Sequence, residues 1–236
     1  MRTWRGFIIA GALAVAAGVI GCTPKTGKSA PPSLTAVIDG EIVAADAISW
    51  SAERPLTWKD FRGTPPVEPG DEGARTAYSL FYGARCTGRR FEFRVLAAVL
   101  PRLSWVTPAV LKNPALSARS LRHEQTHFNL SEVHARRMRK YFADLQQPCA
   151  NSEAELNGLA QRLVGAEATA QASYDQETNY GRTPAKQSEW EAETARQIES
   201  LAAYGDPVKS ADRANSADRT QSADQLKTMK MMKLVK

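Results

Sequence analysis

Leu121-Arg122-His123-Glu124-Gln125-Thr126-His127-Phe128 is the stretch from which the rest of this chain can be read. It contains H-E-x-x-H, the spacing by which one turn of helix presents two imidazoles to a single metal ion with a carboxylate beside them. Residues i and i+4 share a helix face, so His123 and His127 point the same way, about 6 Å apart along the axis. Glu124 is then placed to take a proton from a water attacking a carbonyl while zinc polarises the carbonyl oxygen, which is the chemistry of peptide hydrolysis. The competing reading is a pair of structural histidines on a buried helix. The flanks favour an intact helix from about Ser117 to Leu145. Leu121, Phe128, Leu130, Val133, Met138, Phe142 and Leu145 supply its apolar positions, and no Gly or Pro interrupts it.

Upstream, Met1 to Arg5 carries two arginines, and Gly6 to Gly21 is an apolar, small-residue run too short for a comfortable membrane span. This reads as a signal segment over 1–21. It ends in Val19-Ile20-Gly21-Cys22, which resembles the lipobox of bacterial lipoproteins, so Cys22 is the expected lipidation site. Thr23 follows, and the absence of Asp there resembles lipoproteins sent to the outer membrane. The expectation is a protein held in the bacterial envelope by its N-terminal lipid, facing the periplasm. In that oxidising space the two remaining cysteines, Cys86 and Cys149, are expected to pair.

Residues 22–35 have the Pro, Ser, Thr, Gly and Lys composition of a tether. Residues 36–205 suffice for one domain and are too few for two of ordinary size. Formal net charge is +6, of which Arg2 and Arg5 leave with the signal segment, and no aromatic-basic cluster makes a case for nucleic acid. From Ala36 to Val106 the pattern reads as strands. Val37, Ile38, Ile42 and Val43 flank Asp39-Gly40 as a turn, and Thr76–Cys86 and Arg90–Leu100 flank Thr87-Gly88. Trp58 and Trp105 are expected in the core.

After the histidine helix, Ser152 and Glu155 form a capping box that opens a second helix with stripe residues Leu156, Leu159, Leu163, Ala166 and Ala170. Asn179 and Gly181 are its stop residues, and a further helix runs from about Pro184 to Ala203. Residues 206–236 repeat an Ser-Ala-Asp theme and end in Met and Lys, the composition of a disordered basic tail. The predicted class is α+β and zincin-like: a small antiparallel sheet followed by a helical half that carries the H-E-x-x-H helix.

Zinc needs a third protein ligand. The remaining histidine, His134, lies seven residues past His127 on the same helix, about 10 Å along the axis and out of reach. The ligand is therefore expected to be a carboxylate on the second helix, with Glu167, Asp175 and Glu177 as candidates.

Several motifs occur in an order that resembles a known family. They are Thr57-Trp58-Lys59-Asp60-Phe61, Ser104-Trp105-Val106, His123 to Phe128 with Glu132 and Ala135-Arg136, and Tyr174-Asp175-Gln176-Glu177-Thr178 with Gly181, Gln187 and Trp190. Together they resemble DUF922, a family described as predicted secreted zinc-dependent proteases, over roughly residues 48 to 200. The resemblance implies Asp175 as the third zinc ligand, and Tyr180, close after it in sequence, is expected to serve as a hydrogen-bond donor to the oxyanion rather than as a ligand. With the lipobox at Cys22, the expectation is a lipid-anchored metallopeptidase acting on a peptide or protein substrate. The alternative is a non-catalytic envelope lipoprotein that uses the scaffold for binding or cell-wall organisation.

Overall fold

A computed structural model of the chain describes residues 32–69 and 72–205. The expected signal segment, Cys22 and the C-terminal tail lie outside the described residues, as does most of the tether. Two long strands make the centre. β3 (Tyr78–Thr87) and β4 (Arg90–Val99) form an antiparallel hairpin whose turn carries Gly88 at φ +63°. A short β1 (Ile48–Ser49) adds to the other edge of β4, giving the order β1-β4-β3. A separate pair joins β2 (Ala74–Arg75) to β5 (Trp105–Val106), also antiparallel. The small sheet ahead of a helical half agrees with the α+β expectation.

One face of the hairpin is apolar by strict alternation. Phe91, Phe93, Val95 and Ala97 of β4 are buried against Ala135, Met138 and Phe142 of the long helix α3 (Pro114–Asp144). The rings of Phe93 and Phe142 lie 5.5 Å apart, and each such side chain withdrawn from water contributes about 1.5–3 kcal/mol. Leu156 and Ala160 of α4 (Glu153–Thr178) complete that cluster. α3 starts where Asn113 accepts from the Leu116 N–H and Pro114 occupies its first turn, as its missing donor allows. α4 opens with the expected capping box of Ser152 and Glu155. A short α2 (Pro108–Lys112) precedes α3, and α5 (Pro184–Ser200) packs along it.

The expected turn at Asp39-Gly40 is not formed. Residues Leu34–Ala44 are a helix, α1, capped by the Ser33 hydroxyl. The apolar positions that suggested two strands also fit a helical face, since Leu34, Ile38 and Ile42 are spaced by four. Tertiary packing decided between the two periods. A side chain at Gly83 of β3 would meet Leu34 Cδ1 at 2.9 Å and Ile38 Cδ1 at 3.3 Å, so α1 lies in the hollow that this glycine leaves. Arg94 of β4 and Asp39 of α1 form an ion pair at 2.6 Å beside it. The hairpin is thereby covered on both faces.

Two ties fix the helices relative to the sheet. Cys86 at the end of β3 and Cys149, in a short helical turn after α3, form a disulfide. Buried Arg139 of α3 donates to both carboxylate oxygens of Glu132, to Val95 O of β4 and to Tyr204 O beyond α5. Arg136 shares Glu132 and donates to Ile198 O. Such a cluster holds three elements in one arrangement, and losing one partner of a buried pair costs about 3–5 kcal/mol. None of the described helices is long and apolar enough to cross a membrane.

The disulfide closes a loop of 63 residues, for which chain entropy gives about 4 kcal/mol. Reduction is expected to lower the melting temperature by roughly 10 °C for a domain of this size. A scan with and without reductant measures it, and an unchanged midpoint in reductant would contradict the tie.

Candidate metal centre

The site is assembled from the middle of α3 and the end of α4. His123 and His127 stand one turn apart on α3, both buried, with their Nε2 atoms 3.2 Å apart. Asp175, three residues before the end of α4, brings Oδ1 to 3.1 Å from His123 Nε2 and 2.9 Å from His127 Nε2. Among the described residues, these three form a group with ligand atoms close enough for one ion.

The donor set tests whether a metal fits. His127 Nδ1 faces Gln171 Oε1 at 2.7 Å, and the other end of that amide, Nε2, donates to His127 O at 3.0 Å. A backbone carbonyl only accepts, so the amide nitrogen must face it and the amide oxygen must face Nδ1. Nδ1 therefore carries the hydrogen, and Nε2 of the neutral ring is a lone pair. His123 repeats the device. Its Nδ1 lies 3.2 Å from Gln187 Oε1, while Gln187 Nε2 donates to the acceptor-only Glu191 at 2.9 Å. Two lone pairs and a carboxylate oxygen thus converge with no hydrogen between them, an arrangement that repels unless a cation fills it. Donors at about 2.0–2.1 Å from a tetrahedral zinc lie about 3.3–3.4 Å apart. The triangle here has edges of 2.9–3.2 Å, within a few tenths of that figure.

Burial opposes charge on His127, but Asp175 beside it overrides that and lifts the imidazole to about 9. Burial likewise works against the Asp175 carboxylate, and the two imidazoles nevertheless hold it well below the usual range.

The other expected residues separate cleanly. Glu177 accepts from Trp190 Nε1 at 3.0 Å, away from the imidazoles. Glu167 sits two turns before Asp175, buried, and accepts from Ser131 Oγ at 2.6 Å. His134 is beyond reach, contacts Arg137 and is pushed down to about 4 by burial and by that guanidinium. Glu124 is buried beside the histidines, and its Oε2 accepts from the Thr76 N–H at 2.7 Å, immediately after β2. Tyr180 is 46% exposed and lines the same cleft as His123, Glu124, His127 and Asp175. That cleft has a volume of about 420 Å³, with residues 72–78 along one wall and Leu100, Leu103 and Trp105 along another. Trp58 packs edge-on to Phe61, as a core residue should, whereas buried Trp105 also reaches the cleft.

Several residues of the site have no role assigned by the sequence. Tyr174 stacks on His123 at 4.6 Å and donates to Gln187 Oε1 at 2.8 Å, helping to hold that amide. Tyr78 stacks on His127 at 6.0 Å from β3. Gln171 is the one with a sequence signal, since it precedes Asp175 by four and must share its face. The end of α4 is unusual. Asn179, Tyr180 and Gly181 all have positive φ, at 49°, 55° and 74°, a run that turns the chain back over His123.

The comparisons with known proteins bear on family alone. Residues 61–181 match the family described as bacterial protein of unknown function (DUF922). No curated protein and no solved structure matches the chain.

Gly181 is fixed by two constraints at once. Its φ is +74°, and an added Cβ would lie 3.1 Å from both Cβ and Cγ of His123. Gly181→Ala is expected to cost about 1–3 kcal/mol in strain and to displace the His123 ring, weakening zinc binding beyond the loss in stability. Thermal melts and a chelator competition measure the two effects. Unchanged zinc affinity in a folded variant would show that the ring does not depend on this contact.

Proposed function

We propose that this chain, which belongs to the DUF922 family, is a zinc-dependent hydrolase of peptide bonds. The observation that carries the reading is the convergence of His123 Nε2, His127 Nε2 and Asp175 Oδ1 at the floor of a cleft, with Glu124 beside them. Two imidazoles and one carboxylate are the ligand set of hydrolytic zinc sites that keep a fourth position open. When bound, zinc would supply Lewis acidity for a carbonyl oxygen and make an attacking water more acidic.

This chain's residues would do the rest. Glu124 follows a ligand directly in sequence yet is not one of the three converging groups, and a site that held metal only for structure would not require it. Thr76 N–H binds one of its oxygens, which fixes the carboxylate and leaves the other to take a proton from water and return it to a leaving amine. Tyr180, on the cleft wall, would donate to the oxyanion as the carbonyl becomes tetrahedral. The cleft wall formed by residues 72–78 includes β2, which suits a substrate that lies extended beside it. The signal segment and lipobox at Cys22 support an envelope location, with the domain anchored by lipid.

Glu124→Gln is expected to keep zinc, because no ligand is lost, and to reduce hydrolysis of a peptide library by 10²- to 10⁴-fold. Asp175→Ala is expected to lose zinc as well as activity, since two imidazoles hold the ion weakly. Elemental analysis beside the hydrolysis assay separates the two variants. A zinc-loaded wild type that cleaves nothing would favour a binding role, and full activity in Glu124→Gln would refute the general base.

A further inference from the structure

Each imidazole hangs from a glutamine, and each glutamine leads to a carboxylate, but the two carboxylates differ. On the His123 side the end point is Glu191, which takes two hydrogen bonds from Arg122 near the surface. On the His127 side the path runs through Gln171 and Ser131 to Glu167. All three residues are at most 4% exposed, and no cation among the described residues pairs with Glu167.

We propose that Glu167 is a positioning residue for the metal centre, acting through Ser131 and Gln171 to hold His127 in the tautomer that presents Nε2 and to strengthen that nitrogen as a ligand. The inference rests on the metal reading above. Its support is the direction of each hydrogen bond. Ser131 Oγ donates to Glu167 Oε1 at 2.6 Å, so the serine hydrogen is committed and its lone pairs face Gln171. Gln171 Nε2 donates to Ser131 Oγ at 3.1 Å and to His127 O at 3.0 Å, which spends both amide hydrogens. The amide oxygen is then left for His127 Nδ1 at 2.7 Å. Apart from the amide hydrogen given to His127 O, the donors from His127 Nδ1 through Gln171 to Ser131 all point toward Glu167.

A hydroxyl is the one ambivalent member, able to donate or accept, and the carboxylate removes that freedom. Without Glu167 the serine hydrogen can swing toward Gln171, and the amide loses one of the two acceptors that fix its orientation. Above pH about 7, where Glu167 is ionised, negative charge at the far end polarises the series toward the imidazole, as carboxylates do when they bond directly to metal-bound histidines. A packing role accounts poorly for the residue. Burial lifts the Glu167 carboxyl to about 7 against the hydrogen bond of Ser131, whereas an apolar side chain would fill the space without that penalty. Tyr78 of β3 also faces it, and its hydroxyl is raised by burial and by Glu167.

The test uses the full chain with zinc, a competing chelator, and cobalt as a visible probe of the ligand field. Glu167→Gln keeps the size of the side chain and removes its charge. Loss of such an outer partner commonly costs 10- to 100-fold in affinity, and for a group acting through two intermediates about 10-fold is expected, with a shifted cobalt spectrum. In a Gln171→Ala background, where the series is already cut, Glu167→Gln should add nothing. Wild-type affinity in Glu167→Gln, or the same loss in both backgrounds, would overturn the proposal. A wild type that binds no zinc would refute the metal reading instead. The relay is then judged on the ¹⁵N shifts of His127 in metal-free protein, above the pH of about 9 at which its imidazole gives up the second proton. They should report a hydrogen on Nδ1 that Glu167→Gln perturbs, and indifference to that variant would overturn the relay by itself.

Discussion

Three acceptor atoms, from His123, His127 and Asp175, meet within 3.2 Å with both imidazole hydrogens held on the opposite side of the rings. Like poles brought together in a buried place are costly, and a folded chain tolerates them only when something positive lies between them. A divalent ion satisfies all three groups together. Much of the fold can be understood as the apparatus that keeps these atoms facing one another.

That apparatus is spread over the whole domain. α3 spaces the imidazoles by its pitch, and the apolar face of β4 fixes α3 through the aromatic cluster of Phe91, Phe93 and Phe142. α4 delivers both Asp175 and Gln171, four residues apart on one face. α5 delivers Gln187, and the buried Glu132, Arg136 and Arg139 cluster holds the end of α5 against α3. The left-handed run at Asn179 to Gly181 turns α4 back so that Gly181 touches His123 and Tyr180 faces the cleft. The histidine orientations therefore depend on elements 40 to 70 residues away in sequence.

The sequence made the chemistry more legible than the scaffold that supports it. H-E-x-x-H is written in consecutive residues because one helical turn carries it. The capping box at Ser152 and Glu155 and the stop at Asn179 are local for the same reason. Asp175 needed a tertiary fact, the approach of α4 to α3, so its spacing alone left it level with Glu167 and Glu177. The sequence assigns no role to the glutamines, although Gln187 belongs to the family pattern, because an amide that orients a ligand carries no chemistry of its own. α1 was misread for a physical reason: residues 36–43 satisfy both periods, and the hollow over Gly83 that selects the helix lies more than 40 residues away.

Zinc K-edge absorption on the purified, metal-replete protein tests the central claim most directly, together with its zinc stoichiometry. The account predicts one zinc per chain, with two imidazole nitrogens and one carboxylate oxygen from protein at about 2.0–2.2 Å and no sulfur. A chain that remains free of zinc after metal-replete dialysis, or a site whose scattering shows fewer than two imidazoles, would contradict it.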